Sequence, residues 1–194
     1  RLAVVQAGVV NDHLRAAAAE HGLWYPPDPG SAPWSTIGGN VATNAGGLCC
    51  VKYGVTTDYV MGLQVVLADG TAVRVGGPRL KDVAGLSLTK LFVGSEGTLG
   101  IVTEITLRLY PLPEAVSAAI CSFPSIEAAV RTVIQVIQLG VPIARVELID
   151  HNTVRMVNAH SKLNLREEPM LLMEFHGSPA GVKRYHLESR AFSV

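Results

Sequence analysis

The chain is short of charge and of cysteine. Of its 194 residues, 16% are charged, and 16 acidic side chains balance 16 basic ones. That balance offers no overall attraction for nucleic acid or an anionic membrane, and no charged disordered tail. Cys49, Cys50 and Cys121 are too few for a disulfide framework, and no CxxC or Cys/His metal spacing occurs. A reduced, intracellular compartment is therefore the expectation. No signal peptide is visible, and the sequence opens abruptly on Arg1-Leu2-Ala3-Val4-Val5-Gln6, which reads as the inside of a strand rather than a start at Met. Tyr185-His186-Leu187-Glu188 has no evident continuity with what precedes it. Both ends suggest a piece of a longer chain.

Charge is missing altogether from Pro29 to Val51, where Asn, Ser and Thr recur among glycines. These polar residues, with prolines, exclude a membrane span, which needs about 20 mostly apolar residues. What is present is glycine: 14 of the 19 lie between Gly30 and Gly100, including pairs at 38–39, 46–47 and 76–77. Glycine at this density lets backbone approach something closely or supplies turns with positive φ. Read as a ligand loop, the backbone N–H groups of Gly38, Gly39 and Asn40 form a nest for phosphate oxygens. Ser35, Thr36, Thr43 and Asn44 add side-chain hydrogen bonds. Gly46-Gly47 and Tyr53-Gly54 let backbone pass close to a ligand. The residues alone leave three readings open: a redox cofactor site, a nucleotide-binding module without chemistry, or a structural α/β domain whose glycines serve turns.

Elsewhere the pattern is ordinary. A strand at 2–6 precedes a helix over 13–21, capped by Asn11 or Asp12, with Leu14, Ala17 and Ala18 inward and Gly22 as its stop. Strands follow at 59–68 and 71–75 around a two-residue Asp69-Gly70 hairpin, then at 101–109. Residues 81–91 read as a short irregular helix or loop. Pro111 and Pro113 mark a boundary, giving domains at 1–113 and 114–194. The second half reads strand (118–123), helix capped by Ser125, strand (144–149), helix capped by Asp150, strand (170–175). The first helix has Ile126, Ala129, Val130, Val133, Ile134 and Ile137 as its apolar face and Gly140 as its end. This is an α+β layer with helices on one sheet face.

Long strings carry a resemblance. Ser35 to Gly47, Tyr53-Gly54 and Ser95-Glu96-Gly97-Thr98-Leu99-Gly100-Ile101-Val102 resemble the flavin-contacting segments of the vanillyl-alcohol oxidase/p-cresol methylhydroxylase superfamily. Ala144-Arg145-Val146-Glu147, Ser161 to Asn164 and Leu172 to Ser178 resemble the substrate (cap) domain of its D-lactate dehydrogenase/glycolate oxidase branch, rather than 2-hydroxyglutarate dehydrogenases. They also argue against the reductase branch that acts on UDP-acetylenolpyruvylglucosamine.

The resemblance implies a PCMH-type FAD-binding domain, incomplete at its N-terminus, and part of an α+β cap domain. FAD would be bound non-covalently by Pro27, Gly30, Ser35, Thr36, Ile37, Gly38, Gly39, Asn40, Thr43, Asn44, Gly46, Gly47, Tyr53 and Gly54. Glu96, Gly97, Gly100, Ile101 and Val102 would close on the adenosine side. The implied reaction oxidises a small 2-hydroxy acid, D-lactate or glycolate, and passes electrons to a cytochrome, quinone or electron-transfer flavoprotein. The implied location is the cytoplasm or the inner face of a membrane, mitochondrial in a eukaryote. The branch's catalytic base and divalent-metal ligands would lie outside these residues; no HxxxxxxH or Glu-His-Gly string occurs here. His176, at a strand end, is a candidate for facing substrate but reads first as structural. Arg145 and Arg155 are candidates for a substrate carboxylate, with packing the plainer role. His151 and His160 read as solvated, and Cys49-Cys50 as small thiols near the flavin.

Overall fold

Leu2–Gln6 alternates exposed and half-buried residues and forms strand β1. The computed structural model describes residues 1–191. Contacts divide it between Leu112 and Pro113 into two units.

In the first unit β1 leads into helix α1 (Asn11–Ala19), then β2 (Leu23–Trp24). Helices α2 (Ile37–Thr43) and α3 (Cys50–Tyr53) precede the hairpin of β3 (Val60–Val66) and β4 (Ala72–Gly76). Helix α4 (Thr89–Phe92), β5 (Ile101–Arg108) and β6 (Tyr110–Pro111) complete it. The sheet order is β1-β5-β3-β4 with antiparallel neighbours, and β2 pairs with β6 apart from it. Ile37 and Val41, one helical turn apart on α2, are fully buried in a core shared with Tyr25, Tyr59, Val65, Ile105 and Leu107. That burial holds a short helix carrying two glycines, which propensity alone disfavours.

Three local expectations need correction. Neither Asn11 nor Asp12 caps α1: the N-cap is Val10, and buried Asn11 instead donates from Nδ2 to the Pro27 carbonyl at 3.3 Å. Asn11 thereby ties the helix to the proline-rich segment, and Ala17 lies exposed while Leu14 and Ala18 face the core. The Asp69-Gly70 turn is a three-residue loop. Leu67 N–H donates to the Thr71 carbonyl at 2.9 Å, Gly70 N–H closes the turn on the Leu67 carbonyl, and Gly70 takes φ +84°. Residues 35–47 are not a continuous loop, because Thr36 caps α2 and Asn44 ends it at φ 48°.

The second unit comprises β7 (Ala115–Ser122), α5 (Ile126–Gln138), β8 (Ile143–Ile149), α6 (His151–Ser161), β9 (Met170–Gly177) and α7 (Pro179–Ala191). Helix α7 runs unbroken through Tyr185, so the segment there continues an element begun at Pro179. Strand β9 lies between β7 and β8 and is antiparallel to both, so α5 links two parallel strands that do not touch. This is a split strand–helix–strand unit. Its core joins Phe123, Ala129, Val136, Ile143, Leu171, Met173, Phe175 and Val182.

The face of α5 differs from the expected one. Ala129, Thr132 and Val136 are buried, whereas Ile126, Val130, Ile134 and Ile137 are exposed. Apolar residues occupy two adjoining stripes, and the one through Ala129 and Val136 is the one that packs into the core. Thr132 is tolerated there because its hydroxyl donates to the Ala128 carbonyl at 3.1 Å.

Ser125 and Asp150 cap α5 and α6 as expected, accepting from Ala128 N–H at 3.2 Å and Thr153 N–H at 2.7 Å. The bond from Thr153 holds the Asp150 carboxyl below the usual carboxylate range. Its stabilisation is therefore complete above the unfolded value of about 4 and is lost as pH falls through the lower folded value. Asp150→Asn keeps the cap but not the titration, so the acid limb of the denaturation midpoint against pH should flatten in that variant.

Candidate functional site

Helix α2 is clipped at both ends. At its start, Ile37 N–H donates to the Val9 carbonyl and Gly38 N–H to the Ala7 carbonyl, each at 2.8 Å. At its end, Gly94 N–H reaches the Val41 carbonyl and Glu96 N–H the Ala42 carbonyl, each at 2.9 Å. The segment after β1 and the segment before β5 thus stand on either side of the helix. Between them lies a cleft of about 410 Å³, lined by Ala7, Gly8, Thr36, Gly38, Gly39, Ala42, Ser95, Gly97, Gly100, Ile101 and Val102. No lining side chain is charged.

Of the residues singled out from sequence, the cleft gathers Thr36, Gly38, Gly39, Gly97, Gly100, Ile101 and Val102. The phosphate nest does not form. Gly38 N–H is committed to Ala7, Gly39 N–H to Thr36 Oγ1 at 3.1 Å, and Asn40 N–H to the Thr36 carbonyl at 2.9 Å. An α-helix turns these amides along its own axis, and its cap consumes them. Outward donors are hydroxyls instead: Thr36 Oγ1 accepts from Gly39 with a lone pair and keeps its proton, and Ser95 adds another.

The other candidates have local roles. Ile37 is core, and the Pro27 carbonyl accepts from Asn11. Gly30 is exposed in a turn. Thr43 Oγ1 donates to the Gly39 carbonyl at 3.0 Å, and Asn44 Oδ1 accepts from Thr57 N–H at 2.9 Å. Gly46 is exposed, and Gly47 packs so closely on Asp28 that a Cβ would overlap its backbone. Gly54, at φ +81°, packs on the Asp58 carboxylate. Tyr53 stacks edge-on with Trp24, ring centroids 4.9 Å apart, and its carbonyl accepts from Tyr59 Oη at 2.6 Å. Glu96 adopts φ 51° to deliver its N–H to Ala42, and its side chain is exposed. Cys49 N–H donates to Asp28 Oδ1 at 3.1 Å, and burial pushes the Cys50 thiol up, away from the nucleophilic thiolate.

Gly39 and Gly8, where a Cβ would meet nothing within 4 Å, differ from the other cleft glycines. A Cβ on Gly38 would lie 2.6 Å from Ala7 Cβ, and one on Gly100 2.6 Å from Val65 Cγ1, so packing demands both. Gly97 sits at φ +78°. Gly39 has helical backbone, and its Cβ would meet only Thr36 Oγ1 at 3.3 Å. A helical glycine costs roughly 0.5–1 kcal/mol against alanine. Protein packing gives Gly39 little reason to pay it, whereas close approach of a ligand does. Beside it, the buried atoms Ser35 Oγ and Asn40 Nδ2 lack protein partners, as groups completed by a bound molecule or water do.

Sequence reading missed Ala7 and Gly8, whose one signal was a glycine directly after a strand; Ala42 and Ser95 fell inside the matched strings without being singled out. In the second unit, buried His176 meets Glu174 through Nε2 and Oε1 at 2.5 Å, and Arg145 Nη1 lies 3.9 Å from Glu174 Oε2. Arg155 bonds Asn152 on α6 at 3.0 Å, and His151 and His160 are exposed. No helix among the described residues is long and apolar enough to cross a membrane.

The FAD binding domain family matches residues 1–76, and the C-terminal domain of FAD linked oxidases matches residues 112–192. The chain belongs to the FAD-linked oxidases. It is 46% identical over 178 residues to a probable mitochondrial D-lactate dehydrogenase of Danio rerio, covering 90% of this chain and 35% of that one. It is 46% identical over 184 residues to glycolate oxidase subunit GlcD of Bacillus subtilis, covering 94% and 39%. The chain thus spans well under half the length of these relatives. A solved alkyldihydroxyacetonephosphate synthase superposes with a TM-score of 0.82 over 98% of this chain and 39% of its own, at 21% identity, a likeness of fold. The PCMH-type reading and its cofactor, FAD, stand.

The cleft fits part of an FAD molecule. It is neutral, it offers hydroxyl donors at Thr36 and Ser95, and Gly39 leaves open the space a Cβ would fill. Gly39→Val should therefore fold and lose FAD, read as the ratio of flavin to protein absorbance. Gly47→Val should lower the denaturation midpoint instead, since overpacking costs roughly 1–3 kcal/mol or more. Stoichiometric FAD in folded Gly39→Val would remove this cleft from the cofactor site.

Proposed function

We propose that the protein is an FAD-dependent 2-hydroxy-acid dehydrogenase that oxidises D-lactate or glycolate to the 2-oxo acid. The observation that carries this reading is the neutral cleft with Gly39 open toward it, in a chain similar to D-lactate dehydrogenases and glycolate oxidase. Bound FAD supplies a two-electron acceptor for the hydride on the substrate's α-carbon. The residues of the cleft bind and orient: Thr36 and Ser95 donate through hydroxyls, and Ile101 and Val102 offer an apolar strand edge. Because no charged group lines the cleft, FAD there is held by shape and hydrogen bonds rather than by ion pairing.

Electrons would pass to a cytochrome, a quinone or an electron-transfer flavoprotein. The proposed location is the cytoplasm or the inner face of a membrane, mitochondrial in a eukaryote, as the name of the Danio rerio relative has it. The catalytic base and any divalent metal belong to sequence beyond these residues. His176 serves the second unit through Glu174.

The test is the visible spectrum of the full-length protein before and after anaerobic D-lactate. Flavin bands that bleach with D-lactate and not with L-lactate are expected; bleaching by glycolate alone would select the other substrate. Bands that neither reduces would contradict the reading and leave a cofactor-binding module.

A further inference from the structure

Asn11 opens α1 and is fully buried. A buried side-chain amide costs stability unless its bonds are made. The bonds of Asn11 go to both ends of one segment. Its Nδ2 donates to the Pro27 carbonyl at 3.3 Å, and its backbone N–H donates to the Ser35 carbonyl at 2.9 Å. Asp12 N–H adds the Ala32 carbonyl at 3.2 Å. Amides in the first turn of a helix have no partner within it, and Val10 supplies no side-chain cap. Carbonyls of the proline-rich segment take the place of that cap.

From Pro27 to Ser35 the chain forms neither strand nor helix, so these ties and the turns within the segment fix its course. Helix α2 rests on it from both sides. Ser35 leads directly into Thr36, which caps α2 and lines the cleft. Beyond the other end of α2, Asp28 Oδ1 accepts from Cys49 N–H at 3.1 Å, and Gly47 packs against the Asp28 backbone. One buried residue thus clasps the support of the cleft floor at its entry and its exit. Asn11 itself does not line the cleft.

We propose that Asn11 is a positioning residue for FAD. Through Pro27 and Ser35 it sets where Thr36 meets the cofactor, and it tunes FAD affinity without touching FAD. The role rests on the cleft being the FAD site and adds to it a residue from the far side of the supporting segment.

The experiment titrates FAD onto the FAD-depleted, full-length protein, with the denaturation midpoint of each depleted variant measured alongside. Asn11→Ala should bind FAD roughly tenfold more weakly, the worth of one buried hydrogen bond. Asn11→Ser is too short to reach the Pro27 carbonyl and should show the same loss, which keeps the test open if the alanine variant does not fold. Thr36→Val and Ser95→Ala should each weaken binding. Residues that act through one another are not additive, so Asn11→Ala combined with Thr36→Val should lose less than the product of the two single losses. A lowered midpoint with unchanged FAD affinity in Asn11→Ala or Asn11→Ser would overturn the proposal, making Asn11 structural only. Fully multiplicative losses with Thr36→Val would also overturn it. Unchanged binding in both Thr36→Val and Ser95→Ala would instead overturn the cleft as the FAD site, and the role of Asn11 with it.

Discussion

The first unit depends on the joint between α2 and the segment after β1. Two backbone bonds, from Ile37 to Val9 and from Gly38 to Ala7, seat the helix against that segment. They form because Gly38 has no Cβ; one there would stand 2.6 Å from Ala7 Cβ. With the far end of α2 clipped to Gly94 and Glu96, the helix becomes the floor of a trough walled by Ala7-Gly8 and by Ser95 to Val102. The trough is a product of packing, ready before any ligand arrives. Such preorganisation lowers the ordering cost of binding.

The glycines illustrate what composition can and cannot say. Their density announced close approach, and close approach is what the structure contains. In most cases the approaching partner is the protein itself: Ala7 at Gly38, Asp28 at Gly47, Asp58 at Gly54, Val65 at Gly100. Pairs such as Gly47 with Asp28 are distant in sequence and adjacent only in the fold, so no local pattern separates a packing glycine from a ligand glycine. Gly39, like Gly8, stands apart once its would-be Cβ is seen to meet little. The expected nest failed for a related reason: a glycine-rich, uncharged run suits a loop, and only the burial of Ile37 and Val41 makes it a helix.

Strands were the most legible elements, because alternation and apolar runs survive in both units. Their order was not. That β9 lies between β7 and β8 follows from pairing across the sheet, which leaves no mark within any one strand. For α5, two apolar stripes shared one helix, and periodicity cannot choose between them; the fold buries the one through Ala129, Thr132 and Val136. Caps built from Ser125 and Asp150 were read correctly because a cap bonds its own next turn. Asn11 was misread because its partner, Pro27, lies 16 residues away. The family strings, by contrast, were long enough to carry the cofactor without the geometry.

Amide hydrogen exchange of the FAD-depleted, full-length protein, before and after FAD is restored, tests the cleft most directly. Slower exchange on reloading is predicted across residues 36–43 and 95–102, the floor and one wall of the trough. Unchanged exchange in both segments, with flavin demonstrably rebound, would contradict the account and place the cofactor elsewhere.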